Sequence, residues 1–314
     1  MQEITNDTAA IPALGVGIGY RSELREGIFS NREHIDFLEI ITENYLSHPD
    51  AHRSLEELCD HFPVIPHGVD LSIGSMMQFD RTYLKAIKRI SDMTKAPYYS
   101  EHLCMTKTPG RYIGHLAPLW FSEDVLQHSI RRVQMLQEYL EKPLILENVT
   151  YMLEIPSSPM GQTEFFQRLV EATGCGILLD VTNVFINAAN HGFDARKFIE
   201  QMPLSHLVQV HLAGGYQRGS WYVDGHSELV PPDIFHLFAY LVSRCQVKSV
   251  IFEHDAHFPP IADLLQQIDQ ARAIVHRQQG KKMPNTHVSS EILTDEHAKS
   301  RIHDICNKRE RNKI

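Results

Sequence analysis

Histidine and carboxylate residues that could bind a metal ion lie where short apolar runs end. The segment HLAGGYQRGSWYVDGHSE, residues 211–228, has His211 at the end of one run and places Asp224 and His226 two positions apart. A glycine pair between them predicts a turn that returns the two later side chains toward His211. Imidazole and carboxylate are common ligands of iron, manganese and zinc. The segment therefore fits either a hydrogen-bonded loop or a metal site.

The same arrangement recurs where five other apolar runs end. The residues at these ends are His67, Glu101-His102, Glu147-Asn148, Asp180 with Asn183 three positions later, and Glu253-His254-Asp255. A single histidine or carboxylate in such a place is more often a hydrogen-bonded core residue than a ligand. Six runs that end this way are different, because buried carboxylates and imidazoles need cations to offset lost solvation and mutual repulsion.

The candidate ligands combine imidazole, carboxylate and carboxamide donors. They are His67, His102, Glu147, Asp180, Asn183, His211, Asp224, His226 and Glu253. Nine donors exceed what one ion accepts, so the sequence predicts a site for two or three ions. No cysteine is among them, which argues against a structural zinc site or an iron–sulfur cluster.

Eight apolar runs rich in β-branched residues alternate with stretches of helical periodicity. The runs are ALGVGIGY, DFLEIITENY, FPVIPHGV, YYSEHL, LILENV, GILLDVTN, LVQVHLAG and SVIFEH. Near-continuous apolar runs are typical of strands buried on both faces of a parallel sheet. Eight strand–helix units predict an α/β fold, a (β/α)8 barrel, with a doubly wound open sheet as the alternative. The C-terminal ends of barrel strands meet at one mouth, where the candidate ligands would converge.

The barrel is predicted to occupy residues 1–279 as a single catalytic domain. Beyond this point the chain is polar and charged, so residues 280–314 are predicted to form a mobile C-terminal tail. This tail would be either a solvated extension or, around residues 292–306, a weak helix that docks on a partner.

Charge and composition argue against several classes of protein. The net charge of −9 and the pI near 6.1 disfavour a broad nucleic-acid-binding face. The first residues lack the basic and apolar segments of a signal peptide, and no run approaches the roughly 18 apolar residues that would predict a membrane span. Five widely spaced cysteines without a CxxC pair fit reduced thiols and a cytoplasmic location.

Seven motifs give the chain a family resemblance. In the order HGVDLSIGS, SEHL, LILENV, LLDVTNVFINAANHGFD, VHLAGG, VDGH and VIFEHD, they resemble the multinuclear non-haem iron-dependent oxidative enzymes, which include the oxidase of methanobactin biosynthesis. The resemblance covers residues 14–265. It implies a xylose-isomerase-like TIM barrel with two or three irons, mixed Fe(II) and Fe(III), and dioxygen as co-substrate. It also implies a ribosomally made precursor peptide that is modified at a cysteine, and a leader-peptide-binding partner protein.

The resemblance further assigns a role to each candidate ligand. One iron would be held by His67, His102 and Glu147. A second iron, bridged to the first by Glu147, would be held by Asp180, His211 and Glu253. A third would be held by Asn183, Asp224 and His226. The catalytic residues would be Glu147, Asp180 and His211. This sequence has SEHL where the family usually has SDHL, DVTN where DxNN is common, and EHD where ERD is common.

Two other functions remain compatible with these residues. A non-redox isomerase or hydrolase could use the same barrel with zinc, manganese or magnesium. A catalytically silent scaffold could bind a peptide, but its unused buried carboxylates would cost stability. The identity of the metal separates oxidation from isomerisation and hydrolysis.

Overall fold

The fold is an α/β barrel, seen in a computed structural model that describes residues 8–47 and 49–278. In this part of the chain the strands are β1 (Gly15–Gly19), β2 (Leu38–Ile41), β3 (Val64–Gly68), β4 (Tyr99–His102), β5 (Met105–Thr108), β6 (Arg111–Ala117), β7 (Leu144–Glu147), β8 (Gly176–Asp180), β9 (Leu207–Arg218), β10 (Trp221–Glu228) and β11 (Ser249–Glu253). The helices are α1 (Arg25–Ser30), α2 (Pro49–His61), α3 (Arg81–Thr94), α4 (Glu123–Leu140), α5 (Gln162–Thr173), α6 (Val181–His191), α7 (Ala195–Gln201), α8 (Pro232–Val242) and α9 (Ile261–Gln278). Across the described ranges, none of these helices has both the length and the apolar character needed to cross a membrane.

Eight of the strands form a closed parallel ring. Their order is β1, β2, β3, β4, β7, β8, β9 and β11, and β11 pairs with β1, with Val16 opposite Val250. These strands coincide with the eight apolar runs, so the predicted (β/α)8 barrel is confirmed. The open-sheet alternative is wrong, because the pairing of β1 with β11 joins what would be the two edges of an open sheet.

Three further strands lie beyond the C-terminal ends of the ring. β5 and β6 form an antiparallel hairpin, and β10 pairs antiparallel with the extension of β9. The turn predicted at Gly214-Gly215 is wrong. It lies instead at Gly219, whose φ is +64°. A Cβ on Gly214 would lie 1.8 Å from the carbonyl oxygen of Glu228, so the glycine allows β9 and β10 to approach closely.

An apolar layer fills the lower part of the barrel interior. It is formed by Ile11, Phe37, Ile65, Ala96, Tyr98, Ile145, Leu178, Val208 and Ile251. A larger apolar core packs the outer face of the ring against the helices. Side chains alternate along a strand, so residues two positions beyond the interior layer also face inward, nearer the mouth.

We expect the barrel to fold without its last residues. The ring closes through β1 and β11, and α9 ends at Gln278, whereas the predicted tail, residues 280–314, lies outside the described residues. Deletion of residues 285–314 should therefore leave the thermal unfolding transition and the metal content of the protein close to those of the full chain. Limited proteolysis of the full chain should cut in the same region. Unfolding of the shortened protein would show that the proposed boundary near residue 279 is wrong.

Candidate metal centre

The predicted ligands begin one layer above the apolar layer. On β7, Glu147 follows Ile145 by two residues, and on β11, Glu253 follows Ile251 in the same way. The same two-residue step occurs at the ends of β3 and β8. These strand-end side chains are all buried. The strands of a closed parallel ring end at the same side of the barrel, so the side chains lie together in one enclosed space.

The structure brings six of the nine predicted ligands into two groups with metal-site spacing. The first group is His67, His102 and Glu147, and the second is Glu147, Asp180, His211 and Glu253. Within each group the potential ligand atoms all lie within 4.8 Å of one another. Donors held about 2.1 Å from one ion lie up to about 4.2 Å apart, so each group needs only small adjustments to bind an ion.

Glu147 faces both groups with different oxygens. Its Oε2 lies 3.3 Å from His67 Nε2 and 3.4 Å from His102 Nε2. Its Oε1 lies 3.5 Å from His211 Nδ1. Glu147 therefore lies between the two groups of donors, in the position that a bridging ligand would occupy.

The second ring nitrogen of two of these histidines is held by a neighbouring group. His67 Nδ1 lies 2.9 Å from the Ser100 hydroxyl, and His102 Nδ1 lies 3.1 Å from the carbonyl oxygen of Gly68. Both contacts fix the orientation of the ring and leave Nε2 facing Glu147. Metal-binding histidines in proteins are commonly held by such contacts.

Reading only the strand ends misses Glu39, a buried carboxylate of β2 beside His211. Its Oε1 lies 2.9 Å from His211 Nε2. This contact leaves His211 Nδ1 facing Glu147 and, at 3.3 Å, Glu253 Oε2. A signal is present in the sequence, because Glu39 interrupts the apolar run FLEII and an acidic residue in a buried strand is rarely without a partner.

Seven buried polar atoms of the candidate ligands make no hydrogen bond of good geometry, although two of them, Asp224 Oδ1 and His226 Nε2, lie 2.8 Å apart. They are His67 Nε2, Glu147 Oε2, Asp180 Oδ2, Asn183 Oδ1, His211 Nδ1, Asp224 Oδ1 and His226 Nε2. Buried polar atoms without partners are rare in folded proteins, because each costs about 1–3 kcal/mol. Four of them belong to residues of the two groups with metal-site spacing, and all seven are possible metal donors, so this set of residues fits bound cations.

Negative charge dominates the interior of the site. Burial alone would lower the pKa of His102, but the carboxylates of Glu147 and Glu101 outweigh it and raise that pKa to about 9. Burial, reinforced by Glu147 and Asp224, raises the pKa of Asp180 well above its usual range. Both shifts favour added protons. Metal cations would compete for the same donors and would supply the same positive charge.

A bulge in β10 directs two more predicted ligands toward the mouth. The register shifts between Val223 and Glu228, and His226 has a φ of 43°, which is uncommon for a residue with a side chain. Asp224 Oδ1 lies 2.8 Å from His226 Nε2. His226 Nδ1 lies 3.5 Å from Glu253 Oε2. This pair therefore adjoins the second group through Glu253.

Asn183, the last predicted donor, lies in the first turn of α6. Asp180 caps this helix by accepting the Asn183 N–H at 2.8 Å with Oδ1, which leaves its Oδ2 free for the site. The Asn183 side-chain nitrogen donates to the carbonyl of Asn148 at 3.0 Å, which orients the amide. The hydroxyl of the neighbouring Thr182 is already used, because it hydrogen-bonds to both the N–H and the carbonyl of Ala213.

The sequence of the barrel matches a known enzyme family. Residues 15–276 match the family described as RiPP precursor modification enzyme MbnB/TglH/ChrH. The chain belongs to this family. The match extends from β1 into α9 and confirms the family resemblance of the motifs. Members of the MbnB/TglH/ChrH family are enzymes that act on a peptide, so the substrate class follows from membership.

The chain is also similar to curated relatives and to solved structures. A UPF0276 protein of Anaeromyxobacter sp. (strain Fw109-5) is 35% identical over 262 residues, which cover 83% of this chain and 93% of the relative. One of Caulobacter vibrioides (strain NA1000 / CB15N) is 31% identical over 264 residues, 83% of this chain and 94% of that protein. The crystal structure of a D-tagatose 3-epimerase-like protein has a TM-score of 0.56 at 17% identity and covers 84% of this chain and 99% of its own. An L-ribulose 3-epimerase has a TM-score of 0.51 at 16% identity over 94% of this chain and 95% of its own. At this identity the two structures show only the fold, a xylose-isomerase-like TIM barrel.

Glu147→Gln should remove metal while the fold survives. The amide keeps the volume of the side chain but loses the charge that faces both groups, and amides bridge metal ions poorly. We expect the bound metal to fall from two or more ions per chain to below about one, and activity to fall at least about 100-fold. Elemental analysis and thermal unfolding measure the two effects separately. Retention of two ions with full turnover would disprove the bridging role.

His254→Ala is the matched control. His254 is also buried beside the end of β11, but it belongs to neither group and its ring lies 6.0 Å from that of Phe258. The variant should lose some stability, because it leaves a cavity, and should keep its metal content.

Proposed function

We propose that this protein is an iron- and dioxygen-dependent oxidase that modifies a cysteine of a ribosomally synthesised precursor peptide. It would hold two or three irons as a mixture of Fe(II) and Fe(III). The observation that carries the proposal is the pair of buried donor groups that share Glu147 and converge with unpartnered atoms. Family membership supplies the peptide substrate.

The donor chemistry supports iron. Imidazole and carboxylate donors without cysteine suit iron in its two common oxidation states, and a shared carboxylate suits paired ions. His67, His102 and Glu147 would hold the first ion. The second would be held by Glu147 with Asp180, His211 and Glu253, and a third by Asn183, Asp224 and His226. In this proposal Glu147, which the two groups share, and Asp180 and His211 of the second group are the catalytic residues.

Bound iron would supply the electron transfer to dioxygen, which amino-acid side chains cannot perform. The protein's own residues would set the geometry and the solvent content of the pocket. The apolar layer that includes Ile145 and Ile251 closes the interior below the donors, so water and peptide can reach them only from the mouth. The contacts from Ser100 and the Gly68 carbonyl hold the rings of His67 and His102 in place before any ion binds.

The rim of the mouth is suited to an apolar peptide. Within residues 8–47 and 49–278, ten large hydrophobic side chains are exposed, and nine lie in segments that follow the C-terminal end of a barrel strand. The nine are Met76, Met77, Tyr112, Ile113, Trp120, Met152, Leu153, Tyr216 and Leu229. Exposed hydrophobic side chains gathered around one opening are typical of a binding surface. A small sugar, the natural substrate of many metal isomerases, would not require so wide an apolar rim for binding.

A leader-binding partner protein and a cytoplasmic location belong to the same proposal. The cysteines Cys59, Cys104, Cys175 and Cys245 are free, as expected in a reducing compartment. Net charge −9 is consistent with a protein that does not bind nucleic acid.

Metal content and peptide mass test the function directly. Protein expressed in iron-rich medium should contain two or more irons per chain, and it should be poorly active in air until partly reduced, because dioxygen binds to Fe(II). Incubation with a cysteine-containing peptide encoded beside this chain should change the peptide mass only when dioxygen is present. One zinc per chain with negligible iron would favour the non-redox isomerase or hydrolase and refute the oxidase.

Leu153→Ser should weaken peptide binding, with Met135→Ser as its control. Leu153 is 80% exposed on the rim, whereas Met135 is 44% exposed on α4, away from the mouth. Burial of a leucine side chain under a peptide contributes about 1.5–3 kcal/mol, so the KM for the peptide should rise about tenfold or more in Leu153→Ser. The same KM should be unchanged in Met135→Ser. Equal effects of the two changes would show that the rim does not bind the peptide.

A further inference from the structure

Glu39 lies beneath the candidate metal centre and is in direct contact with one of its ligands. The residue is in β2, and its exposed fraction is 2%. Glu39 Oε1 lies 2.9 Å from Nε2 of His211, the ring nitrogen that points away from the proposed metal position. The other nitrogen of this ring, Nδ1, lacks a hydrogen-bond partner and faces Glu147 and Glu253.

A chain of buried polar groups holds Glu39 in place. Gln209 Nε2 donates a short hydrogen bond to Glu39 Oε2. His211 Nε2 lies 2.8 Å from Gln209 Nε2 and 2.9 Å from Glu39 Oε1, so it accepts from the amide in one tautomer and donates to the carboxylate in the other. The Gln209 carbonyl in turn accepts a hydrogen bond of 2.5 Å from the hydroxyl of Tyr98. That hydroxyl also lies 3.2 Å from Ser249 Oγ. The chain thus runs from the candidate metal ligand down into the apolar layer of the barrel.

Packing alone does not explain a carboxyl group at position 39, because burial raises the pKa of Glu39 and only neighbours such as His211 oppose that shift. A buried carboxylate loses several kcal/mol of solvation, and a neutral glutamine of the same shape could join the same chain at lower cost. The ionised form is useful if His211 keeps a proton on Nε2 and presents the lone pair of Nδ1 to a cation. A carboxylate behind a metal-bound imidazole fixes the tautomer, aligns the ring and makes the nitrogen a stronger ligand.

We propose that Glu39 is a positioning residue that directs His211 Nδ1 to the metal ion shared with Glu147 and Glu253. The inference rests on the proposed function only in requiring that this centre binds a metal ion. It assigns Glu39 no contact with the metal or the peptide. Glu39 therefore acts through His211 alone.

The proposal predicts that Glu39→Gln lowers metal affinity in the folded protein. Without metal, the full-length variant should unfold at a lower temperature than wild type, because the change breaks the buried contact between Glu39 and His211. The affinity for the ion at the second group should also fall about 10–100-fold. Titration of the metal-depleted full chain with Co(II), followed by its visible absorption, measures this affinity without enzyme turnover. A merely structural role would instead lower the unfolding temperature and leave the Co(II) affinity of the folded variant unchanged.

Two further variants keep the test decisive. Tyr98→Phe removes a hydroxyl from the same buried chain without touching His211, so it should lower the unfolding temperature and leave Co(II) affinity unchanged. Glu39→Asp keeps the charge but shortens the side chain, so its Co(II) affinity should lie between those of wild type and Glu39→Gln. If the glutamine variant does not fold, a Co(II) affinity of folded Glu39→Asp equal to that of wild type overturns the role of Glu39, and a lower one supports it. Equal Co(II) affinity in wild type and a folded Glu39→Gln would overturn the role of Glu39 alone. A wild-type chain that binds no Co(II) and no iron would overturn the metal centre as well.

Discussion

The concentration of buried carboxylates at the mouth of the barrel is the constraint on which the rest of the structure depends. Glu147, Asp180 and Glu253 end three strands within one enclosed space, and Glu39 lies just below them. Moving one such ion from water into a protein interior costs several kcal/mol even after relaxation. Imidazoles alone do not neutralise this charge, because they are neutral unless they take up protons. The site is therefore stable only when it holds positive charge. A metal cation supplies this charge at one position, whereas protons would have to be spread over several side chains.

Much of the fold could be predicted from the sequence, because its dominant elements have simple periodicities. Strands buried on both faces form near-continuous apolar runs, and α4, from Glu123 to Leu140, is one of the stretches of helical periodicity between them. The unpredicted elements lack such a signal. β6 is largely exposed, so its sequence carries no apolar pattern. The start of α6 cannot be recognised from the sequence. This helix begins at Val181, directly after β8, and its first turn continues the apolar run of that strand.

The candidate site could be predicted in composition but not in geometry. Reading the last residues of each strand finds donors such as His67 and Glu253, because barrel strands end at one mouth. It misses Glu39, which lies within its strand. It also cannot tell which nitrogen of His211 faces the site. That choice depends on a contact between residues far apart in sequence, and only the closed ring brings them together.

The same geometry links metal content to stability. A cation that binds only the folded chain stabilises it by an amount that grows with the logarithm of its concentration over its dissociation constant. In this barrel the cation would also remove the cost of unpartnered atoms such as His67 Nε2 and Asp180 Oδ2. The apolar layer beneath them must hold the fold while the metal positions are empty, because the buried carboxylates are then balanced only by protons on histidines such as His102. The division between a rigid apolar floor and a charged mouth thus lets one barrel fold before it binds metal, and it leaves the bound metal free for chemistry.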